Sequence, residues 1–367
     1  MKVEESRFLR YLTDNYNRHL IQSGEAPVLD HLILDALEDR DLLGEQAQSM
    51  FSESTNHRFR SRAAHLSSVR KAIRRRWGPA LVEFDKCIAA AEELNASYVD
   101  NFGSGMANNH KSWFADTRKF GEHDIVGGTA LKILLLAALH ARACITSTEI
   151  GVLLRSGFCE GAQSRARSLY EQAVVIAVLA NDGGFQVCER YFDSSKIEKL
   201  RYMQAYKLVV NEEKWGPSGD EHLKEAEEEA AWAIARWGTE IREQYGWARP
   251  LFPQLPAKQR VQFRHLQEYI DTDLRLLYMY WNRSVHADSL VSIEHADFGT
   301  DYLMKTRPKV DAAAMVTTAL WTLRLLDNAT RDCSRQITHL TQCYDDILIG
   351  GELSRLIDEA CRLLQRS

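Results

Sequence analysis

Residues 128–180 read GTALKILLLAALHARACITSTEIGVLLRSGFCEGAQSRARSLYEQAVVIAVLA. Leu131, Leu134, Leu135, Ala138, Ala141, Ile145 and Ile150 recur at helical spacing and predict one long helix after Gly127-Gly128. Gly157 is placed to cap its C-terminus, because glycine takes the left-handed conformation at little cost. A second helix is predicted from about Glu160 to Ala180, apolar on nearly every side from Ala173 onward and therefore buried. Asn181-Asp-Gly-Gly184 closes it. Two such helices joined by a tight turn predict an all-α fold built on a central antiparallel helical bundle. Arg165, Arg167 and Glu171 stand out within the second helix. Arg167 and Glu171 are one turn apart on the same face, and ionised groups near a core are costly unless paired. They are expected to satisfy each other or a third polar group.

Composition narrows the classes. The 367-residue chain is 45% hydrophobic, enough for a real core, and its seven prolines and few alternating runs favour helix throughout. A net charge of −5 means that contact with nucleic acid would need a local basic patch. Cys87, Cys144, Cys159, Cys188, Cys333, Cys343 and Cys361 are odd in number and lack CxxC spacing. Reduced thiols in a cytoplasmic protein are expected, with no metal site and no cofactor. The N-terminal MKVEESRFLRYLTDNYNRHL lacks the apolar centre of a signal peptide. The most membrane-like run, Ile133 to Leu139, is seven residues long, whereas a span needs about 20. No membrane association is expected.

Three regions are predicted. Residues 1–115 form an N-terminal helical region, 116–305 the central domain and 306–367 a helical C-terminal extension. In the first, residues 3–45 suggest two helices broken near Gly24-Glu-Ala-Pro27. Between Arg58 and Arg76 lie eight basic residues and no acidic one. Arg70, Lys71, Arg74, Arg75 and Arg76 form a patch that reads either as phosphate-contacting or as a solvated helix face. Gly78-Pro79 is expected to end this helix and start another from Ala80 to Leu94. Residues 185–209 read as helix. Glu212 to Gln244 reads as an amphipathic, Glu-rich surface helix, followed by an irregular connector with Pro250, Pro253 and Pro256. One helix from about Gln259 to Asn282 then leads to a second polar cluster, and Val310 to Arg366 is helical by pattern.

That cluster is Tyr278-Met-Tyr-Trp-Asn-Arg-Ser-Val-His286-Ala-Asp288. Arg283 and His286 are three apart and share a helix face; Arg275 lies three turns before His286. Histidine can move a proton to or from a ribose 2′-hydroxyl near neutral pH, and arginine can hold a phosphate and offset charge developing on it. The competing reading is that His286 ends a helix and pairs with Asp288 or Glu171 in a structural network. There is no GxxxxGK[ST], GxGxxG or HExxH motif.

Leu154-Arg155-Ser-Gly157, Glu160-Gly-Ala162, Arg167-Ser-Leu-Tyr-Glu171, Arg190-Tyr191, Gly246-Trp247, and Tyr278 ahead of Val285-His286-Ala-Asp288 resemble a bacterial all-helical family of unknown function. The resemblance covers about residues 125–300 and implies mobile-element and defence-associated settings. Members carry a serine four residues before the histidine, where Asn282 stands here. A more distant similarity in chemistry is to the HEPN ribonucleases, which cut RNA with an Arg-x4–6-His pair, often at a dimer interface. Arg283 and Arg275 fall on either side of that spacing.

The leading expectation is a bacterial defence- or toxin-like protein acting on RNA, as a metal-independent endoribonuclease. His286 would transfer the proton, Arg283 and Arg167 hold phosphate, and Glu171 orient. Arg155, Arg165, Tyr278, Asn282 and Asp288 would contact substrate. RNA, a protein of a defence system and a second copy of the chain are the expected partners. The alternative is a non-catalytic interaction module whose Arg/Glu/His network is structural.

Overall fold

The structure is a computed structural model and describes residues 14–18, 44–106, 125–210, 212–256, 258–270, 272–285, 297–298, 304–305, 310–341 and 343–366. The chain is all-α, with packed helices and one two-residue antiparallel ladder, β1 (Asp297–Phe298) on β2 (Met304–Lys305). Two compact units are present, Met1–Ser68 and Val69–Ser367.

Helix α1 runs Gly44–Met106, straight through Pro79, so the expected break at Gly78-Pro79 is corrected. A helix-interior proline costs about 3 kcal/mol. Here the buried stripe Val69, Ile73, Trp77, Ala80, Leu81, Phe84, Ile88, Ala91 and Leu94 keeps helical phase across it. Truncating one large member of such a stripe costs about 3–5 kcal/mol, so packing of the whole row outweighs the missing N–H.

Helix α2 (Ile125–Arg155) starts two residues before Gly127-Gly128, not after them. A Cβ on Gly128 would lie 2.7 Å from the Phe185 ring, so the glycine lets that ring sit against the helix. At the other end Gly157 has φ 76°. Its N–H donates to Leu154 O at 3.0 Å, and the Phe158 N–H donates to Leu153 O at 3.0 Å, a Schellman stop. Helix α3 (Cys159–Asn181) returns antiparallel to α2, burying Ala162, Ala166, Ala173 and Ala177 among larger apolar residues. Among the described residues one stretch, Gly128–Arg155, is long and apolar enough to cross a membrane. Its most apolar window is 56% buried inside the protein, as in a core helix. Lys132 and His140, which interrupt the apolar run, are satisfied internally. Lys132 Nζ donates to Asp182 O at 2.5 Å.

Helices α4 (Gln186–Val209) and α5 (Glu212–Trp237) form a hairpin; α5 is interrupted at Gly216 (φ 57°) and stops at Trp237, short of the expected Gln244. The connector folds into 3₁₀ turns, Thr239–Arg242 and Gly246–Leu251. The single helix expected over Gln259 to Asn282 is also corrected. It divides into α6 (Phe263–Leu266), a 3₁₀ turn (Gln267–Tyr269), extended Ile270 and α7 (Thr272–Val285). A straight helix would hold Phe263 and Tyr278 about 22 Å apart. The break brings their rings to 5.1 Å, both near Tyr170 of α3.

Helices α8 (Ala312–Thr341) and α9 (Asp345–Arg366) complete the second unit, α8 lying on both α2 and α3 and α9 on α8. A polar layer crosses this apolar core. His140 Nε2 is 2.8 Å from Thr330 Oγ1, and Nδ1 is 3.0 Å from Asn95 Oδ1. Tyr98 hydrogen-bonds Ser334, and Ser97 donates to Asp346 at 2.8 Å. These bonds fix the relative register of α1, α2, α8 and α9, which apolar contact leaves loose.

Candidate functional site

Arg167 Nε donates to Glu171 Oε1 at 3.1 Å, within one turn of α3. The same oxygen accepts from Tyr278 Oη of α7, also at 3.1 Å. The Arg167 guanidinium lies over the Tyr278 ring, 5.4 Å from its centre. The two stretches singled out in the sequence therefore meet, through Tyr278. They meet at the rim of the core and not inside it: Arg167 and Glu171 side chains are 20% and 42% exposed. The reason is positional, since the all-round apolar half of α3 begins only at Ala173.

His286 and Asp288 lie outside the described residues, as does the side chain of Arg283 in the last turn of α7. Asn282 is half-buried, and its Oδ1 has no hydrogen-bond partner among the described residues. Arg155 and Arg165, expected to contact substrate, make ion pairs between helices. Arg155 donates to Leu81 O at 2.8 Å and pairs with Asp85, tying α2 to α1. Arg165 pairs with Glu149 across the α2–α3 hairpin. In the basic patch, Arg70 donates to Ser156 Oγ at 3.4 Å and Arg76 covers the Trp77 ring. Lys71, Arg74 and Arg75 are exposed.

The Arg167–Glu171–Tyr278 group forms one wall of an open cavity of about 1060 Å³. Arg201 enters from α4, Arg242 from the first 3₁₀ turn, and Arg260 from the segment before α6. Four arginines and two glutamates, Glu171 and Glu243, thus line the cavity. Arg260 pairs with Glu243 at 2.9 Å, and Arg201 pairs with Glu198 and also donates to Arg242 O. The exposed Arg242 guanidinium has no acceptor among the described residues. The remaining wall is aromatic: Tyr245, Phe263 and Tyr278, with Tyr170 stacked behind Tyr278 at 4.9 Å. Burial, reinforced by the Glu171 carboxylate, pushes the Tyr245 phenol up to about 12 and raises Tyr278 as well. Both phenols are therefore hydrogen-bond donors at neutral pH. Such a cavity can hold an anion by charge and a flat ring by stacking.

Arg190 holds the outer wall in place. Buried to 5% exposure, it donates to Gly246 O at 2.9 Å, Trp247 O at 3.2 Å and Trp237 O at 3.3 Å, and pairs with Glu240. Tyr191 packs edge-on against the Trp247 ring at 4.9 Å. A Cβ on Gly246 would lie 1.7 Å from Glu240 O, so only glycine fits that approach. These contacts fix the segment that presents Thr239, Arg242, Glu243, Gln244 and Tyr245 to the cavity.

Sequence reading missed Arg201, Arg242, Tyr245, Arg260 and Phe263. The arginines lie on three separate segments with no motif spacing. The one usable signal was Gly246-Trp247, adjacent to Tyr245 and already set apart by the resemblance. No curated protein and no solved structure matches the chain. Residues 133–301, a little under half of it, match the model of a family of unknown function, DUF5677.

Proposed function

We propose that the protein acts on RNA, and that the cavity between α3, α4, the 239–245 segment and α7 receives a phosphodiester and its base. The observation that carries this reading is the pairing of an arginine-rich wall with an aromatic one. Arginine forks suit phosphate oxygens, and Tyr245, Phe263 and Tyr278 offer faces on which a base can stack. In this reading Arg242 and Arg167 hold the phosphate, Tyr278 offers its ring face, and Glu171 keeps Arg167 and Tyr278 in register.

Cleavage would proceed without metal. His286, which follows the last residue of α7, would take the proton of a ribose 2′-hydroxyl as that oxygen attacks phosphorus. The P–O5′ bond would break as the new bond forms, the 5′-oxygen taking its proton from solvent water and leaving a 2′,3′-cyclic phosphate. The setting implied by the resemblance is a bacterial cytoplasmic defence or toxin-like protein of HEPN-type chemistry, working with a second copy or another protein of its system.

The test is purified protein with labelled RNA in chelator, followed by anisotropy and by gel. RNA binding that falls at least ten-fold in Arg242→Ala supports the cavity; undiminished binding overturns it. Cleavage lost in His286→Ala with binding retained supports the chemistry. A second reading, a non-catalytic interaction module, draws on the closed Arg167–Glu171–Tyr278 bonding and the interhelical roles of Arg155 and Arg165. It requires that Glu171→Gln lower the melting temperature and that no RNA bind.

A further inference from the structure

Between Glu53 and Glu83 the sequence holds no aspartate or glutamate, and the part of α1 that belongs to the second unit carries Arg70, Lys71, Arg74, Arg75 and Arg76 there. Packing sorts this stretch by face. Val69, Ile73 and Trp77 turn into the core, which leaves all five cations on the exposed side. Lys71 stands three residues before Arg74 and four before Arg75, so three side chains project from about one turn. None of these three has an ion pair or a hydrogen bond among the described residues. The nearest acidic residues along the helix, Glu83 and Asp85, pair with Lys86 and Arg155. Other helices of this chain place an acid one turn from an exposed arginine: Glu198 beside Arg201, Asp332 beside Arg335, Glu352 beside Arg355. A solvated helix face gains from such pairs and loses from like charges at the same spacing. Here Arg70 is set against Arg74, and Lys71 against Arg75.

We infer that this face of α1 binds the phosphate backbone of RNA. Chemistry selects the occupant. The centre of a protein interface is apolar and depleted in charge, whereas the apolar residues of this stretch all point inward. Phosphates require only clustered cations, and arginine forks match their oxygens. The choice of polymer rests on the RNA reading of the cavity; the patch adds a second contact that holds any sequence, because it touches no base.

The experiment is anisotropy with fluorescein-labelled oligouridylate of about 20 nucleotides, 2′-fluoro-substituted so that it cannot be cut, titrated over a salt series. The full-length protein is compared with Lys71→Gln/Arg74→Gln/Arg75→Gln and with Arg331→Gln/Arg355→Gln/Arg362→Gln, a control that removes the same charge from exposed, ion-paired arginines. Releasing three phosphates should flatten the slope of log affinity against log salt by about 2 and weaken binding ten-fold or more near 0.1 M salt. The control should keep the wild-type slope. The same loss should appear in an Arg242→Ala background, since the two contacts are separate. An unchanged slope in the patch variant, or an equal loss in the control, overturns the inference. The cavity reading is judged apart from it, by Arg242→Ala alone. A wild type that self-associates, and becomes monomeric in the patch variant with RNA affinity intact, also overturns the inference and makes this face a contact between copies.

Discussion

Lowering the pH from about 7.5 to about 5 should destabilise the protein by about 2 kcal/mol through His140 alone. The ring is fully buried on α2, between Asn95 of α1 and Thr330 of α8. Thr330 Oγ1 donates to Leu326 O at 2.7 Å, so Nε2 must donate to Thr330, and the neutral ring is satisfied on its other side with the Asn95 amide turned to present its N–H to Nδ1. Burial lowers its pKa from 6.5 to about 4. Below pH 6.5 the unfolded chain binds a proton that the folded chain refuses, so stability is full above that value and falls as the pH drops towards 4. The whole window corresponds to about 3 kcal/mol, most of it lost by about pH 5. Urea melts at both pH values, for the wild type and for His140→Gln, isolate the effect, because the variant retains every other titrating group. The wild type should lose about 2 kcal/mol more than the variant over this range. Equal losses would refute the assignment. A wild type that gains stability towards pH 5 would mean that the folded ring is an imidazolium held by two acceptors.

Pro79→Ala should raise stability by roughly 2 kcal/mol in thermal or urea melts, the restored helix-interior N–H outweighing the greater freedom of the unfolded chain. Unchanged stability would mean that α1 has relaxed around the proline. Gly246→Ala should cost ~3 kcal/mol or more, since the obstacle is the backbone carbonyl of Glu240 and no side chain can yield; a near-native melting temperature would contradict that packing. Arg190→Met should cost about 3 kcal/mol by leaving several buried carbonyls without donors, and should alter the near-ultraviolet circular dichroism contributed by Trp237 and Trp247.

The fold was legible wherever apolar spacing alone decides it. The α2–α3 pair, the glycine stop at Gly157 and the helical character of the C-terminal region follow from local pattern. Reading failed where distant packing overrides a local signal. Pro79 carries a strong break signal but stands within a continuous buried row, and the residues from Gln259 to Asn282 have helical pattern but must bend to join Phe263 to Tyr278. The site was half legible for a related reason. Arg167 and Glu171 are conspicuous because they precede an apolar run, whereas Arg201, Arg242 and Arg260 look like ordinary surface arginines until the chain folds.

The residues that carried the family resemblance divide by role once placed. Leu154 and Gly157 stop α2, while Arg190, Tyr191, Gly246 and Trp247 lock together and hold one wall of the cavity. Arg167, Glu171 and Tyr278 alone among the described ones reach the cavity itself. The pattern therefore specifies how the cavity is built more than what it accepts. Arg242 and Arg260 are exposed and outside the pattern, so in the proposed reading they are the residues that would set the ligand. Two substitutions separate the roles. Arg242→Ala should change ligand affinity at least ten-fold and leave the melting temperature within about 1 °C, because surface changes of this kind stay near ±0.5 kcal/mol. Arg190→Met should lower affinity and melting temperature together, since the wall that presents Arg242 and Tyr245 comes loose with it. An Arg190→Met protein that melts early yet binds as before would show that the wall does not need its anchor.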